Sequence, residues 1–316
     1  MRFALAIVAA CLIIILTGCQ TSMQSSLKIG LLVPGTITDQ TWGNQGYQAL
    51  MHLHADENAE VFYKEGMSEK EDVLKALKEF KQEGVSLVFA HGSEYHSLLQ
   101  DTYQTFPSMH FVTFNGFSDA ENVTNIQFNS HAMGFFAGMV AAGTSETNKI
   151  GVIAAYDWQP EVNGFYEGAI LQNEMANVLV RFTYDWDDTT KALTILDRMI
   201  DEGVDVVYPA GDSFSVPVID QVKEQNRYAI GYISDQSDLG ERTVLTSTEQ
   251  NLKNVYTMTV HMYKEETLEA GTISVGFGEG AIEMGPFSPE VPDSLKEKVQ
   301  AAIVKYKDTG VLPKDK

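Results

Sequence analysis

The sequence of 316 residues predicts an α/β protein with two doubly wound parallel-sheet lobes joined by a multi-crossover hinge. Short β-branched runs alternate with amphipathic helical stretches, which is typical of parallel strands joined by crossover helices. The chain also resembles itself: Lys28–Leu32 recurs as Lys149–Ile153, and Glu83–Val88 recurs as Glu202–Val207. Two matches in the same order, at nearly the same offset, indicate two similar lobes of about 120 residues each, an ordinary domain size. Chance convergence of βαβ units explains one such match more readily than two.

The predicted strands form two series. In the first lobe they are Leu27–Leu32, Glu60–Tyr63, Val85–Ala90, His110–Phe114 and Asn122–Phe128. In the second lobe they are Lys149–Ala154, Val178–Tyr184, Val204–Pro209, Tyr228–Ile233 and Thr243–Ser247. Amphipathic stretches between them predict helices, among them Glu71–Phe80 and Thr190–Ile200. The apolar stretch His131–Gly143 is shorter than the roughly 20 residues that span a bilayer, so it predicts a buried helix.

The segment after Ser247 breaks the symmetry between the two series. It predicts a helix from Asn251 to about Leu268, a Gly-rich strand pair within Ile273–Met284, and a helix from Ser294 to Lys305. The run Gly276–Gly280 lacks the following helix of a dinucleotide site, which favours a bulged hairpin. Because this C-terminal segment has no counterpart in the two series, we expect it to pack on one or both lobes. The predicted organisation is a signal peptide at 1–18, a tether at 19–26, one lobe of 27–130 plus about 248–275, and a second lobe of 131–247 plus about 276–316.

The composition excludes several classes of protein. The chain carries 43 Asp plus Glu against 22 Lys plus Arg, a formal net charge of −21. Such a charge repels a phosphate backbone, so we expect no direct binding to nucleic acid. Two cysteines form neither a disulfide scaffold nor a four-cysteine zinc site.

The first twenty residues indicate the compartment. Arg2 leads into an apolar run that is too short to span a membrane and that ends in Leu16-Thr17-Gly18-Cys19. A small residue followed by cysteine is typical of a bacterial lipoprotein signal, so Cys19 is the predicted lipidation site; a signal peptide cut elsewhere is the alternative. The polar residues 20–26 would tether the fold to the outer face of the cell membrane.

Two lobes on a tether are typical of solute-binding proteins with a type I periplasmic-binding-protein fold. Ligands in such folds bind where the carboxyl ends of the strands face the cleft. Carboxylates, amides and aromatics recur there while Lys and Arg are absent, which favours a small neutral solute with a flat ring over an anion. Packing at a lobe interface is the alternative for each aromatic. The candidate ligand-binding residues are Asp39, Trp42, Ser93, Tyr95, Asn115, Trp158, Asp212, Phe214 and Asp235.

No catalytic, metal or cofactor site is expected. Gly211–Phe214 resembles the block of a hydrolase family, but the late Asp-x-x-His that this family needs is missing, since Met258 stands three residues before His261. His52 and His54 lie two residues apart on a helix and point away from each other, and His91 and His96 lack a third ligand.

Several segments resemble the Bmp/PnrA-type basic membrane lipoprotein family, whose characterised members are purine-nucleoside receptors of ABC importers. The resemblance implies that Asp39 and Trp42 contact the ligand. The chain also departs from the family pattern at three positions. Ile233 replaces an acid that would hold ribose hydroxyls, Gln250 replaces a lysine, and Gly43 replaces an asparagine. The segments that carry the resemblance are 39–43, 134–139, 165–168, 235–236 and 246–247.

The chain is especially similar to one subgroup, the lipoproteins that positively regulate genetic competence, in segments 63–66, 91–95, 158–162, 206–212 and 234–240. The sequence therefore predicts a lipid-anchored solute-binding protein that closes on a small, neutral, nucleoside-like ligand and acts with an ABC permease. The alternative is a regulatory lipoprotein with a degenerate or sensing cleft, which controls expression of the competence transcription factor indirectly through a membrane partner.

Overall fold

The computed structural model describes residues 26–38 and 41–313. Cys19, the predicted signal peptide and all of the predicted tether except Ser26 lie outside the described residues, as does Asp39. In the part of the chain that the structure describes, no helix combines the length and the apolar character needed to cross a membrane.

Sheet I holds the strands of the first series in the order β2-β1-β3-β4-β5, with β11 added beside β5, and all its strands are parallel. This order winds outward in both directions from β1 and β3, as predicted for a doubly wound sheet. Its strands are β1 (Lys28–Leu32), β2 (Glu60–Lys64), β3 (Leu87–Ala90), β4 (His110–Phe114), β5 (Val123–Phe128) and β11 (Gly271–Val275). The helices that connect these strands are α1 (Trp42–Asp56), α2 (Lys70–Glu83) and α3 (Tyr95–Leu99).

Sheet II repeats this order as β7-β6-β8-β9-β10, with β12 added beside β10. Only the pair of β10 and β12 is antiparallel among the described strands. The strands are β6 (Lys149–Ala154), β7 (Asn177–Phe182), β8 (Val206–Ala210), β9 (Tyr228–Gly231), β10 (Val244–Gln250) and β12 (Ile282–Met284). The helices of this half are α4 (Ser130–Thr144), α5 (Pro160–Gln172), α6 (Thr189–Asp201), α7 (Asp212–Glu224) and α9 (Asp293–Thr309), while α8 (Leu252–Lys264) packs on α1 beside sheet I.

The prediction that the two Gly-rich strands form one hairpin is wrong, because they belong to different sheets. β11 runs parallel to β5 at the edge of sheet I, whereas β12 runs antiparallel to β10 at the edge of sheet II. The glycines between them bridge the two sheets instead of closing a turn, because each bare sheet edge takes one strand. The chain thus passes between the sheets after β5, after β10 and after β11.

Helices α4 and α5 pack backbone to backbone next to sheet II. A Cβ atom built on Gly138 would lie 2.0 Å from the carbonyl oxygen of Phe165, and one on Gly164 would lie 1.9 Å from the carbonyl oxygen of His131. Such close approach requires glycine. The pair explains why the apolar stretch 131–143 is almost wholly buried, as predicted.

The hydrophobic core has three parts. One cluster fills the outer face of sheet I under α2, and a second fills the outer face of sheet II under α6 and α7. The largest cluster joins the inner faces of both sheets through α1, α4, α5, α8 and α9. This continuous core positions the carboxyl ends of both sets of strands opposite each other.

Candidate functional site

A cavity of about 520 Å³ lies where the carboxyl ends of the two sheets face each other. This volume falls within the range of small-molecule pockets, and the place is where open α/β sheets bind ligands. Sheet I contributes the segments after each of β1 to β5, and sheet II contributes the segments after each of β6 to β9 together with the end of β10.

Trp42 opens α1 and presents its indole to the cavity with a buried histidine behind it. His91 Nε2 lies 2.8 Å from the carbonyl oxygen of Trp42, and its Nδ1 lies 2.9 Å from the hydroxyl of Tyr256. Complete burial lowers the pKa of His91 to about 3, so the ring is neutral, although the hydrogen bond to Trp42 opposes this shift. A carbonyl only accepts hydrogen bonds, so Nε2 carries the proton and Nδ1 accepts from Tyr256. This chain of bonds fixes the ring behind Trp42.

Three aromatic rings gather on the opposite side, where Trp158 and Trp186 line the cavity and Tyr156 packs against them. Tyr156 stacks on Trp158 at 5.5 Å between ring centroids, and Trp186 meets the Trp158 ring edge-on at 5.9 Å. Trp158 nevertheless keeps 54% of its surface exposed at the cavity. With Trp42, all three tryptophans of the chain line this one cavity.

The charged groups of the cavity wall are acidic. Glu161 is almost fully buried; its Oε1 accepts from Gln159 Nε2 at 2.9 Å and from the Tyr232 hydroxyl at 3.1 Å. Burial raises the pKa of Glu161 above its usual range, and these two hydrogen bonds oppose the shift. Burial also raises the pKa of Glu94, with a smaller contribution from the charge of Asp187.

Two non-glycine residues at the cavity adopt left-handed backbone conformations. Asn115 has φ of 51°, and its Oδ1 accepts from the backbone N–H of Phe128 at 3.2 Å. Ile233 also has φ of 51°, which is unusual for a β-branched side chain. The Ile233 carbonyl accepts the backbone N–H of Gln250, and Gln236 Oε1 accepts the backbone N–H of Tyr232 at 2.9 Å. The loop after β9 is therefore held by its neighbours in a strained form, as is common at binding sites.

Five of the predicted ligand-binding residues line the cavity together: Trp42, Ser93, Asn115, Trp158 and Asp212. Three others lie elsewhere. Tyr95 is fully buried in the core under sheet I and donates its hydroxyl to the Met67 carbonyl at 3.0 Å. Phe214 is fully buried beneath Gly211, in the core of sheet II. Asp235 is exposed and accepts the backbone N–H of Ser237.

Tyr95 and Phe214 share one physical reason for their positions. Each lies on a helix that begins just after a strand, and its side chain turns back under the sheet, since an aromatic side chain gains more by burial than by facing the cleft. Adjacent positions on the same turns, Glu94 and Ser213, line the cavity instead.

The structure adds lining residues that the sequence analysis did not single out. Trp186 and Asp187 follow the carboxyl end of β7, so they occupy the same kind of position as the residues that were predicted after other strands. Glu161 lies on α5 and Gln127 on β5, and which face of each element meets the cavity depends on packing, so no local signal marked them. Among residues 26–38 and 41–313, no three His, Cys, Asp or Glu side chains are grouped to hold a metal ion.

Comparison with known proteins identifies the family. The model of the family described as ABC transporter substrate-binding protein PnrA-like (Bmp) matches residues 26–316. The chain belongs to this family. The Bmp family comprises binding proteins and regulators, so the prediction that the chain is not an enzyme is confirmed.

Relatives of the chain carry three kinds of name. The transcriptional activator protein med of Bacillus subtilis is 44% identical over 96% of both chains. A purine-binding protein of Brucella abortus is 25% identical, over 92% of this chain and 83% of its own. Basic membrane protein A2 of Borrelia garinii subsp. bavariensis is 23% identical over 96% of both chains.

Solved structures confirm the predicted fold class. A transcriptional activator of the comK gene from Bacillus halodurans superposes with a TM-score of 0.85 at 40% identity, covering 91% of this chain and 100% of its own. The Lac repressor, at 14% identity and a TM-score of 0.60 over 85% of this chain and 83% of its own, shares the fold alone. The Bmp chain is thus built as two lobes of the periplasmic-binding-protein type.

Proposed function

We propose that this Bmp-family chain is a lipid-anchored regulatory binding protein that raises expression of the competence transcription factor, with the cleft as its sensor. The observation that carries the proposal is the 44% identity over 96% of both chains to the activator med of Bacillus subtilis. The likeness to the comK activator of Bacillus halodurans supports it over nearly the whole fold.

The proposed regulation is indirect. A formal net charge of −21 opposes contact with DNA, and the likeness to the Lac repressor concerns the fold alone. The Leu16–Cys19 pattern supports export and lipidation at Cys19, which would hold the lobes at the outer face of the cell membrane. A membrane partner would then read the open or closed state of the lobes.

Closure of the cleft is the proposed signal. We propose that the two lobes move against each other as rigid units and that the chain bends at the three passages between the sheets. One lobe comprises residues 27–130 with about 248–275, and the other comprises residues 131–247 with about 276–316. Hinge closure around a bound solute is the usual motion of such proteins.

The test is a competence reporter in a strain that expresses this chain as its only copy. Trp42→Ala and Trp158→Ala remove cavity walls, and both are expected to lower reporter expression while the protein stays at its normal level on immunoblots. Tyr166→Ala, an exposed ring on α5 outside the cavity lining, is the matched control. Normal reporter output from both tryptophan variants would contradict a sensing cleft, and normal output after deletion of the gene would contradict the regulatory role.

A second candidate function is a receptor of an ABC importer for a neutral, nucleoside-like solute. The family description and the purine-binding relative from Brucella abortus favour it, as do the aromatic walls. Ligands that bind only the folded state raise the Tm by mass action. A Tm that stays constant across millimolar nucleosides, free bases and sugars would count against this candidate.

A further inference from the structure

The wall of the cavity carries charges of one sign. Glu94, Glu161, Asp187 and Asp212 line it, and none of the described residues that line it is a lysine, an arginine or a histidine. A concave site with walls of low dielectric focuses such a field and attracts the opposite charge. The local charge therefore disfavours anions and favours cations.

The carboxylates face the cavity from both halves of the molecule. Glu94 follows β3 of sheet I, whereas Asp187 follows β7 of sheet II. Both residues line the same cavity, and the negative charge of Asp187 adds to burial, which is the larger cause, in raising the pKa of Glu94. Closure of the cleft brings like charges nearer, and a positive group between them would turn that repulsion into attraction.

Gln250 supplies an independent sign of a ligand. Gln250 is only 7% exposed, it lies in the cavity wall at the end of β10, and its Oε1 has no hydrogen-bond partner among residues 26–38 and 41–313. A buried acceptor without a donor is costly, so such atoms usually meet a group that the structure lacks. The missing partner must donate an N–H or an O–H.

The aromatic rings define the rest of the ligand. Trp158 offers an exposed face between Tyr156 and Trp186, and Trp42 lies on the wall of sheet I. Indole faces bind flat rings, and they also attract ammonium groups. Both properties suit one molecule that combines a ring with an amine.

We propose that the cleft takes an organic cation, a flat ring that carries a protonated amine, with the amine between Glu94 and Asp187 and an N–H directed at Gln250 Oε1. This proposal rests on the proposed function that the cleft binds a ligand. It differs from the neutral, nucleoside-like solute of the second candidate, because it makes charge the basis of selection.

Calorimetric titration of the full chain in detergent tests the proposal with three probes that share a ring and differ in charge. They are tryptamine (cationic), N-acetyltryptamine (neutral) and indole-3-propionate (anionic). We expect tryptamine to bind at least tenfold more tightly than the neutral probe and the anion not to bind. Equal affinity for the neutral probe, preference for the anion, or no heat from tryptamine at millimolar concentration would overturn the proposal.

Two variants locate the selectivity. Glu94→Gln and Asp187→Asn are expected to lower the affinity for tryptamine about tenfold and to leave that for N-acetyltryptamine unchanged. Asp201→Asn, an exposed carboxylate at the end of α6, is the control. If both cavity variants keep the full preference for tryptamine, the proposed site of the amine is wrong. The competence reporter measures the regulatory function separately, so a failure of charge selectivity can be distinguished from a failure of the regulatory proposal.

Discussion

The imidazole of His91 lies flat against the indole of Trp42, with ring centroids 4.2 Å apart and ring planes inclined by 12°. The cavity wall at Trp42 is thus backed by a ring whose orientation depends on Tyr256, on α8. Any change that frees the imidazole is expected to loosen the indole as well.

Replacing Tyr256 by Phe tests this dependence. The variant leaves the buried Nδ1 of His91 without its donor, so the free energy of unfolding should fall by about 1–3 kcal/mol. Urea denaturation followed by tryptophan fluorescence measures the change. Tyr263→Phe, which removes a longer bond of 3.3 Å to the Ser86 carbonyl at a partly exposed position, is the control and should cost less. Equal losses in the two variants would contradict the special role of the buried bond.

The contact between α4 and α5 predicts a severe effect from a single methyl group. In Gly138→Ala the new Cβ would lie 2.0 Å from the Phe165 carbonyl oxygen, so the helices must separate. Overpacking of this kind lowers the free energy of unfolding by about 1–3 kcal/mol, and the loss is larger where the backbone must move. Gly278→Ala has open space around its Cβ and serves as control. If the Tm of Gly138→Ala stays within about a degree of the parent value, the two helices can separate at little cost and the prediction is wrong.

The carboxylate of Asp205 secures the loop between α4 and β6. It accepts the Ser145 hydroxyl at 2.6 Å and the backbone N–H groups of Glu146 and Thr147 at 2.7 and 2.9 Å. Asp205→Ala removes all three bonds at a site that is almost fully buried, and we expect a loss of about 2–4 kcal/mol in the free energy of unfolding. Chemical denaturation measures it, with the exposed Asp201→Ala as reference. Similar midpoints for the two variants would contradict this account.

The pH dependence of stability has one defined source in sheet II. Burial, with the neighbouring charges of Asp235 and Glu283, raises the pKa of Glu249 to about 7 from its usual 4.5. Between these values the folded state holds a proton that the unfolded state has released, so the contribution of Glu249 to the free energy of unfolding falls as the pH rises.

Glu249→Gln removes this titration. Between about pH 5 and about pH 7 the Tm of the variant should therefore rise with pH relative to the Tm of the parent protein, whatever the slope that other groups such as His91 give to both. The exposed Glu241→Gln is the control, and its profile should follow that of the parent. Parallel profiles for Glu249→Gln and the parent would contradict the raised pKa of Glu249.

The succession of strands and helices along the chain was predictable because hydrophobic periodicity and the internal repeat are properties of consecutive residues. The segments 28–32 and 149–153 proved to be β1 and β6, the equivalent strands of two sheets with the same winding. The partners of β11 and β12 were not predictable in this way. Each strand pairs with a segment far away in the chain, and its short sequence carries no mark of that partner.

In the candidate site, too, the features set by neighbouring residues were predictable and those set by distant residues were not. Strand-end position marked Trp42, Ser93, Asn115, Trp158 and Asp212, all of which line the cavity. It did not determine which way a side chain turns on the first turn of a helix, so Tyr95 and Phe214 were included although they lie in the cores. The direction of a side chain there depends on the packing of the whole lobe, which residues distant in the chain supply.

The edge strand β11 has a consequence for synthesis of the protein. The first half of the chain contains β1 to β5 but lacks the strand that covers the open side of β5, and that strand leaves the ribosome only when residues 271–275 do. Until then the β5 edge is a template for pairing with other chains. Truncation before residue 271 is therefore expected to damage the half of the molecule that was made first, and aggregation through β5 is the expected outcome.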